Sequence, residues 1–151
     1  MKKKIVYVPM GADIIHRGHL NIIKNARKYG EIIIGLFTDS AIAEYKSLPL
    51  ISYNQRFDII KNINGVKKVV AQKTWDYSSN LNKIKPDYVV HGDDWKKGIQ
   101  KKTRDRVIKT LKKWSGKLIE PKYTKNINSK EIRKKILDIL SVPDNRVSIL
   151  K

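Results

Sequence analysis

The stretch "GADIIHRGHL", Gly11 to Leu20, decides the fold through what flanks it. Before it runs "KIVYVPM" (residues 4–10), an apolar segment of strand length. After it, "LNIIKNARKYG" (20–30) places apolar residues at Leu20, Ile22, Ile23 and Ala26, a helical spacing with Gly30 positioned to close it. "EIIIGLFTD" (31–39) is a continuous apolar run, the pattern of a strand covered on both faces. The first 40 residues therefore read as β-α-β, which implies a parallel pair and a right-handed crossover. Two of the chain's three histidines, His16 and His19, stand where the first strand hands over to the helix.

The alternation continues outward. "SYNQRFDIIKNI" (52–63) predicts a helix with Ser52 as its N-cap, and "KKVVAQ" (67–72) a strand. "SSNLNKIK" (78–85) predicts a short helix, "PDYVVHGDD" (86–94) a strand, "QKKTRDRVIKTLKKW" (100–114) a long helix, "GKLIEPKY" (116–123) a strand and "NSKEIRKKILDIL" (128–140) a last helix. Five strands alternating with helices predict an α/β domain over residues 1–140, a Rossmann-like doubly wound parallel five-stranded sheet. Residues 141–151 read as a linker or the start of a following domain, because Pro143 and Asp144 break the helix before Val147, Ile149 and Leu150 restart an apolar pattern. Ligands of such sheets bind beyond the carboxyl ends of the strands, where "MGADIIHRGH", "TD", "HGDDW" and "PKYTKNINS" all fall.

A length of 151 residues allows one domain with its own core. No apolar run approaches the ~20 residues of a membrane span, so no membrane partner is expected. The absence of cysteine excludes disulfides and thiolate metal sites and fits a cytoplasmic protein. The net charge of +19 raises a non-enzymatic alternative, a basic RNA-binding protein. The lysines spread from Lys2 to Lys151 with no nucleic-acid-binding signature, so an anionic small substrate is the better match.

The histidines carry the chemistry. A helix N-terminus already favours an anion through its free N–H groups and dipole. His16 and His19 add two directional donors there, and Gly18 between them permits close approach. Such a site suits charge growing on a transferring phosphoryl group. No nearby third ligand completes a zinc arrangement, so no direct metal site is expected.

"HRGH" (16–19) resembles the H-x-G-H signature of the nucleotidyltransferase superfamily. "YKSLP" with Lys46 resembles the mobile lysine segment on its substrate side, and "SYNQR" with Arg56 the Y-x-x-R that follows. "VHGDDW" with Asp93, Asp94 and Trp95 resembles the G-D-D-W of glycerol-3-phosphate cytidylyltransferases. The ordered set spans residues 4–140. "ADIIHRGHLNIIKNA", "KPDYVVHGDDW" and "QKKTRDRVI" are more narrowly similar to cytidylyltransferase domains linked to phosphoenolpyruvate mutase. Those domains couple CTP to 2-hydroxyethylphosphonate or 2-aminoethylphosphonate. One motif departs from the superfamily pattern. In "INSKEIR", Ile127, Ser129 and Arg133 match I-S-S-T-x-x-R, while Asn128 and Lys130 replace Ser and Thr. In "PKYT", Tyr123 stands where glycerol-phosphate enzymes carry an arginine.

The resemblance implies the nucleotidyltransferase fold and transfer of CMP from CTP to a phosphonate with release of pyrophosphate. His16, His19, Lys46 and Arg133 would be catalytic. Met10, Gly11, Ala12 and Gly18 would join the histidines on the triphosphate, with Ser129 and Arg133 on its far side. His91, Gly92, Asp93, Asp94 and Trp95 would face the ribose and base. Ile127 and Asn128 would belong to the phosphate-binding loop, with Asn128 donating to a phosphate, and Tyr123 and Thr124 would also contact the nucleotide. Lys46, Asp13, Arg56, Asp76 and Tyr77 would serve the second substrate. Mg²⁺ would bridge the phosphates, with Asp13 as an outer-sphere partner. Trp75 and Trp114 read as packing residues, although "WDYSSN" (75–80) could line the acceptor pocket. The hydroxyl acceptor is favoured because Asp76 is the only carboxylate in "YKSLP", "WDYSSN" and "PKYTKN". A homodimer and fusion to a phosphoenolpyruvate mutase domain are further expectations. Alternatives are a cytidylyltransferase for glycerol-3-phosphate or another phosphoalcohol, and an adenylyltransferase.

Overall fold

The computed structural model describes residues 2–141; the expectation of a linker or further domain at 141–151 lies, past Ser141, outside the described residues. A parallel sheet of order β3-β2-β1-β4-β5 is built from β1 (Ile5–Met10), β2 (Glu31–Phe37), β3 (Val66–Gln72), β4 (Tyr88–Val90) and β5 (Lys117–Ile119). Around it run α1 (Arg17–Ala26), α2 (Asp39–Ala43), α3 (Tyr53–Lys61), α4 (Ser78–Ile84), α5 (Lys101–Leu111) and α6 (Ser129–Leu140). Strand order reverses direction at β1, so the crevice between the ends of β1 and β4 is the switch point where such sheets bind ligands.

Side chains of successive strand residues point to opposite faces, and this chain fills both. Val6, Val8 and Met10 of β1 join Ile32, Ile34 and Leu36 of β2 against Ile23, Ala26 and Ile60 from α1 and α3. Tyr7 and Phe37 face the other way, with Tyr77, Leu81, Val89, Trp95, Val107 and Leu111. These residues are almost fully buried, as the unbroken apolar runs require.

Ser52 caps α3 as expected, its Oγ accepting from the Gln55 amide at 3.5 Å. Two local features differ from the sequence reading. α1 ends at Ala26, so Gly30 begins the approach to β2 instead of capping the helix. A Cβ there would lie 2.3 Å from the Lys4 carbonyl oxygen, which explains the glycine. The short α2 was not expected; Thr38 starts it, its Oγ1 accepting from the Ala41 amide at 3.2 Å.

Arg56 corrects an expectation. Its side chain is fully buried and cannot meet a substrate. It donates to the carbonyls of Gly11 (2.7 Å), Phe37 (2.8 Å) and Ile51 (2.9 Å) and pairs with Asp39 at 2.7 Å. A buried guanidinium is tolerated only when its donors are so used. Here it ties the ends of β1 and β2 to the segment preceding α3.

Candidate active site

His16 is the N-cap of α1, and His19 is the third residue inside it. The Gly18 amide donates to His16 Nδ1 (3.0 Å), and the His16 amide donates to His19 Nδ1 (3.1 Å). This is a capping box made by two imidazoles. A nitrogen that accepts an N–H bond carries no proton, so the cap assigns the proton of each neutral ring to Nε2. The rings lie 4.0 Å apart between centroids and line one cavity. Both rings are held neutral. Burial lowers the pKa of His16, and burial together with the nearby His16 and Lys46 pulls that of His19 down to about 3. The result is two N–H donors at a helix N-terminus that remain donors through the neutral range. Gly18 is required sterically, because a Cβ there would meet His16 Cε1 at 2.7 Å. Ala12, with φ of +54°, turns the chain out of β1 toward this helix.

The cavity beside them has two connected lobes. The first, ≈ 420 Å³, is lined by Met10, Gly11, His16, Gly18 and His19, by His91, Gly92 and Asp94 after β4, and by Tyr123, Thr124, Asn128, Ser129 and Lys130. The second, ≈ 450 Å³, is lined by Ala12, Phe37, Ile42 and Leu137 on its apolar side, with Ser47, Lys130, Arg133 and Lys134 around them. Gly11, His19, Phe37, Lys46, Trp75, Ser129 and Lys130 border both. Lys46 thus stands between the lobes, as a bridge between two anions would. The N-terminus of α6 also meets the first lobe, with Asn128 Oδ1 capping it from 2.8 Å at the Glu131 amide. The Asn128 oxygen is thereby committed and its amide group is what remains for a ligand.

Several expected residues stand elsewhere. Asp13 is buried, and its carboxylate accepts from the amides of Leu50 (3.0 and 3.1 Å) and Ile51 (3.0 Å) and from Arg133. With its oxygens so engaged, Asp13 is an anchor, not a partner for substrate or metal. Arg133 also binds Ser47 Oγ (2.9 Å) and the Leu48 carbonyl (3.3 Å), so it holds the Lys46 segment on the second lobe and not the far side of the first. Asp76 pairs with Arg106 at 2.9 Å and borders a separate outer hollow. Its carboxyl faces neither lobe; desolvation pushes its pKa up, but the bonds from Ser78 and the bond and charge of Arg106 together hold it below the usual range. Asp93 accepts from the Tyr123 amide at 2.9 Å and shapes the wall from behind. Trp95 is 1% exposed and supports His91 instead of touching a ligand, and Ile127 lines neither lobe. Tyr77 is buried at the first lobe's edge, its hydroxyl raised by burial.

Sequence reasoning missed Phe37 and understated Trp75. The two rings stack at 4.4 Å between centroids, and Trp75 donates Nε1 to the Ala41 carbonyl at 2.6 Å. Trp114 packs as expected, with its Nε1 on the Pro86 carbonyl at 2.8 Å. The signal for Phe37 was available, since it precedes the "TD" at the end of β2. Among the described residues, no group of three or more His, Asp or Glu is placed to hold a metal.

Comparison with known proteins places the fold and the family. A solved lipopolysaccharide core biosynthesis protein from Thermoplasma volcanium shares the fold, with a TM-score of 0.68 at 21% identity over 82% of this chain and all of that one. Glycerol-3-phosphate cytidylyltransferase of Bacillus spizizenii is 35% identical over 98 residues, 64% of this chain and 74% of that protein. Ethanolamine-phosphate cytidylyltransferase of Dictyostelium discoideum is 31% identical over 134 residues, 87% of this chain but only 36% of the relative. The model of the Cytidylyltransferase-like family matches residues 12–135, from the turn after β1 into α6. This chain is therefore a nucleotidyltransferase of the cytidylyltransferase-like family.

Proposed function

We propose that this chain transfers CMP from CTP to a small phosphonate, releasing pyrophosphate, with 2-hydroxyethylphosphonate the favoured acceptor. The observation that carries the reading is the imidazole capping box at the switch point, opening onto two lobes with Lys46 between them. The triphosphate lies in the first lobe. His16 and His19 direct Nε2–H groups at it, and the N-terminus of α6 with Asn128, Ser129 and Lys130 supports it from the other side. Mg²⁺ would be brought in by the phosphates of CTP and would offset their charge, since among the described residues no cluster of three or more His, Asp or Glu is placed to hold it.

The acceptor oxygen is already an anion, so no side chain needs to remove a proton from it. Attack on the α-phosphorus forms one P–O bond as the bond to pyrophosphate breaks. Alignment and charge neutralisation do the work. Lys46 meets both the incoming oxygen and the α-phosphate, and the two histidines meet charge developing on the transferring group.

The second lobe argues for the nature of the acceptor. Its cations suit an anionic head. The carboxylate of Asp13, the one acidic residue on its lining, is consumed by Leu50, Ile51 and Arg133. An ammonium tail there would lack a carboxylate partner and be costly to desolvate. A neutral, hydroxyl-bearing tail would not. Glycerol-3-phosphate is the second reading, because a neutral three-carbon tail meets the same criterion and a curated relative is named for it. Competition kinetics with CTP and equal concentrations of 2-hydroxyethylphosphonate, 2-aminoethylphosphonate and glycerol-3-phosphate test the choice. We expect kcat/KM to rank the hydroxyl phosphonate first. A tenfold preference for the amine, about 1.4 kcal/mol, would overturn it.

A further inference from the structure

The end of β4 presents a wall of the first lobe that phosphate chemistry does not use. His91 follows Val90, its amide donating to the Ile119 carbonyl at 3.1 Å. Its ring lies flat on Trp95, 3.7 Å between centroids and 9° between planes. Trp95 is itself fixed, donating Nε1 to Glu120 at 2.9 Å, and Glu120 is clasped by Arg104 at 2.8 and 2.9 Å. Rotation within that plane is fixed as well. Nδ1 stands 2.8 Å from the Gly92 carbonyl oxygen, and a carbonyl can only accept. The proton of the ring is therefore on Nδ1, with Asp94 Oδ1 4.0 Å from the same nitrogen. Nε2 is left with its lone pair and makes no hydrogen bond among the described residues. The side chain keeps 15% of its surface and borders the cavity beside Gly92 and Tyr123.

We propose that His91 reads the nucleotide base, its unprotonated Nε2 accepting from the exocyclic amine of cytosine, so that CTP is taken and UTP refused. This rests on the reading of the first lobe as the nucleotide site. The phosphates are held at the end of β1, and β4 is the neighbouring strand, so a nucleotide extending from one strand end brings its base to the other. Gly92 has no side chain, which leaves the wall flat for a planar ring next to Tyr123. Cytosine and uracil are the same size and differ at position 4, where one offers an N–H donor and the other a carbonyl lone pair. Against a locked acceptor the first is bound and the second repelled. Burial, which lowers the pKa of His91, keeps Nε2 unprotonated at neutral pH even though Gly92, Asp94 and Glu120 pull the other way. A site built on one such bond rejects the analogue that lacks it more strongly than a shape-only pocket does.

The test compares CTP, UTP and the triphosphate of the 4-unsubstituted pyrimidinone riboside, in binding and in kcat/KM, for the wild type and His91→Phe. Phenylalanine keeps the stack on Trp95 and removes the acceptor. We expect the wild type to prefer CTP over UTP by about 100-fold or more and over the 4-unsubstituted analogue by about tenfold. In His91→Phe both preferences should fall below threefold, with UTP gaining in absolute terms, which loss of structure would not produce. The analogue series on the wild type alone decides the matter should the variant not fold: equal binding of CTP and the 4-unsubstituted nucleotide would overturn the proposal. A wild-type CTP preference that persists unchanged in His91→Phe would overturn the His91 assignment and leave the cytidylyltransferase reading intact. Failure of the wild type to bind any of the three would remove both.

Discussion

At the scale of single residues, the two histidines act as a unit because one backbone–side-chain cap orients both. His16→Ala and His19→Ala should each lower kcat/KM by about 100-fold or more with the fold retained, the usual cost of removing a preorganised donor to developing charge. Near-normal turnover of His19→Ala would rule out the phosphate assignment. Gly18→Ala should be nearly as damaging although it removes nothing polar, since its Cβ would sit 2.7 Å from the His16 ring. The His19 ring also makes a prediction about stability. Its folded pKa, about 3, lies below its ordinary value of 6.5, so between these pH values the unfolded chain binds the extra proton. That contribution is present above pH 6.5 and is lost as the pH falls toward 3. By pH 5 about 2 kcal/mol of it has been lost. Denaturant titrations of wild type and His19→Asn at pH 7.5 and 5 should show the wild type losing that much more, and equal losses would refute the shift.

At the scale of elements, the segment between α2 and α3 carries Lys46 near its start and is held both just after that lysine and at its far end. Asp13 grips Leu50 and Ile51, and Arg133 of α6 grips Asp13, Ser47 and Leu48. α6 has no fully buried residue, so polar ties do much of its docking. Arg133→Met should therefore speed tryptic cleavage at Lys46 several-fold while the melting of the core hardly moves; unchanged cleavage would separate α6 from the segment. Lys46→Ala should cost kcat more than CTP affinity, because a lysine between the lobes acts on the complex holding both substrates. Calorimetry showing lost CTP binding with unchanged saturated turnover would place it differently. Periodicity made the strands and the larger helices legible, for it records which faces are buried. The H-x-G-H stretch was legible as the start of α1 at the switch point, where its two histidines line the first lobe, and Trp75 as a borderline packing residue. What could not be read was the pairing of charges. Asp13, Arg56, Asp76 and Arg133 all sit in plausible motif positions, yet each is committed to a partner 17 to 120 residues away. Such choices depend on tertiary distance, which spacing along a chain does not encode.

At the scale of the whole molecule, the +19 charge requires an account that the fold alone does not supply. Two accounts differ in where the field should act. An RNA-binding protein would concentrate its cations in one stripe and show steep salt dependence toward any polyanion. Here the lysines are distributed, and acidic partners interrupt them on several faces, as in Lys3–Glu31, Lys4–Asp87 and Lys61–Asp58. The exposed pairs add little stability, since solvent screens them. Around the cleft the balance is one-sided, with Lys46, Lys130, Arg133 and Lys134 on the second lobe and Asp13 neutralised by Arg133. Both substrates are anions, so the field should raise their local concentration at the mouth and bind them more tightly at low salt. The KM for CTP and for the acceptor should therefore rise several-fold between about 20 and 200 mM salt, over which the Debye length shrinks to less than about 10 Å. Saturated kcat should change little, because capture from solution no longer limits the rate once both substrates are bound. Lysine-to-glutamine changes at Lys130 and Lys134 should flatten the salt dependence, whereas the same changes at Lys67 and Lys68 on β3 should not. A salt-independent KM, or equal effects from both pairs, would mean that the charge is a solvated coat unrelated to substrate capture.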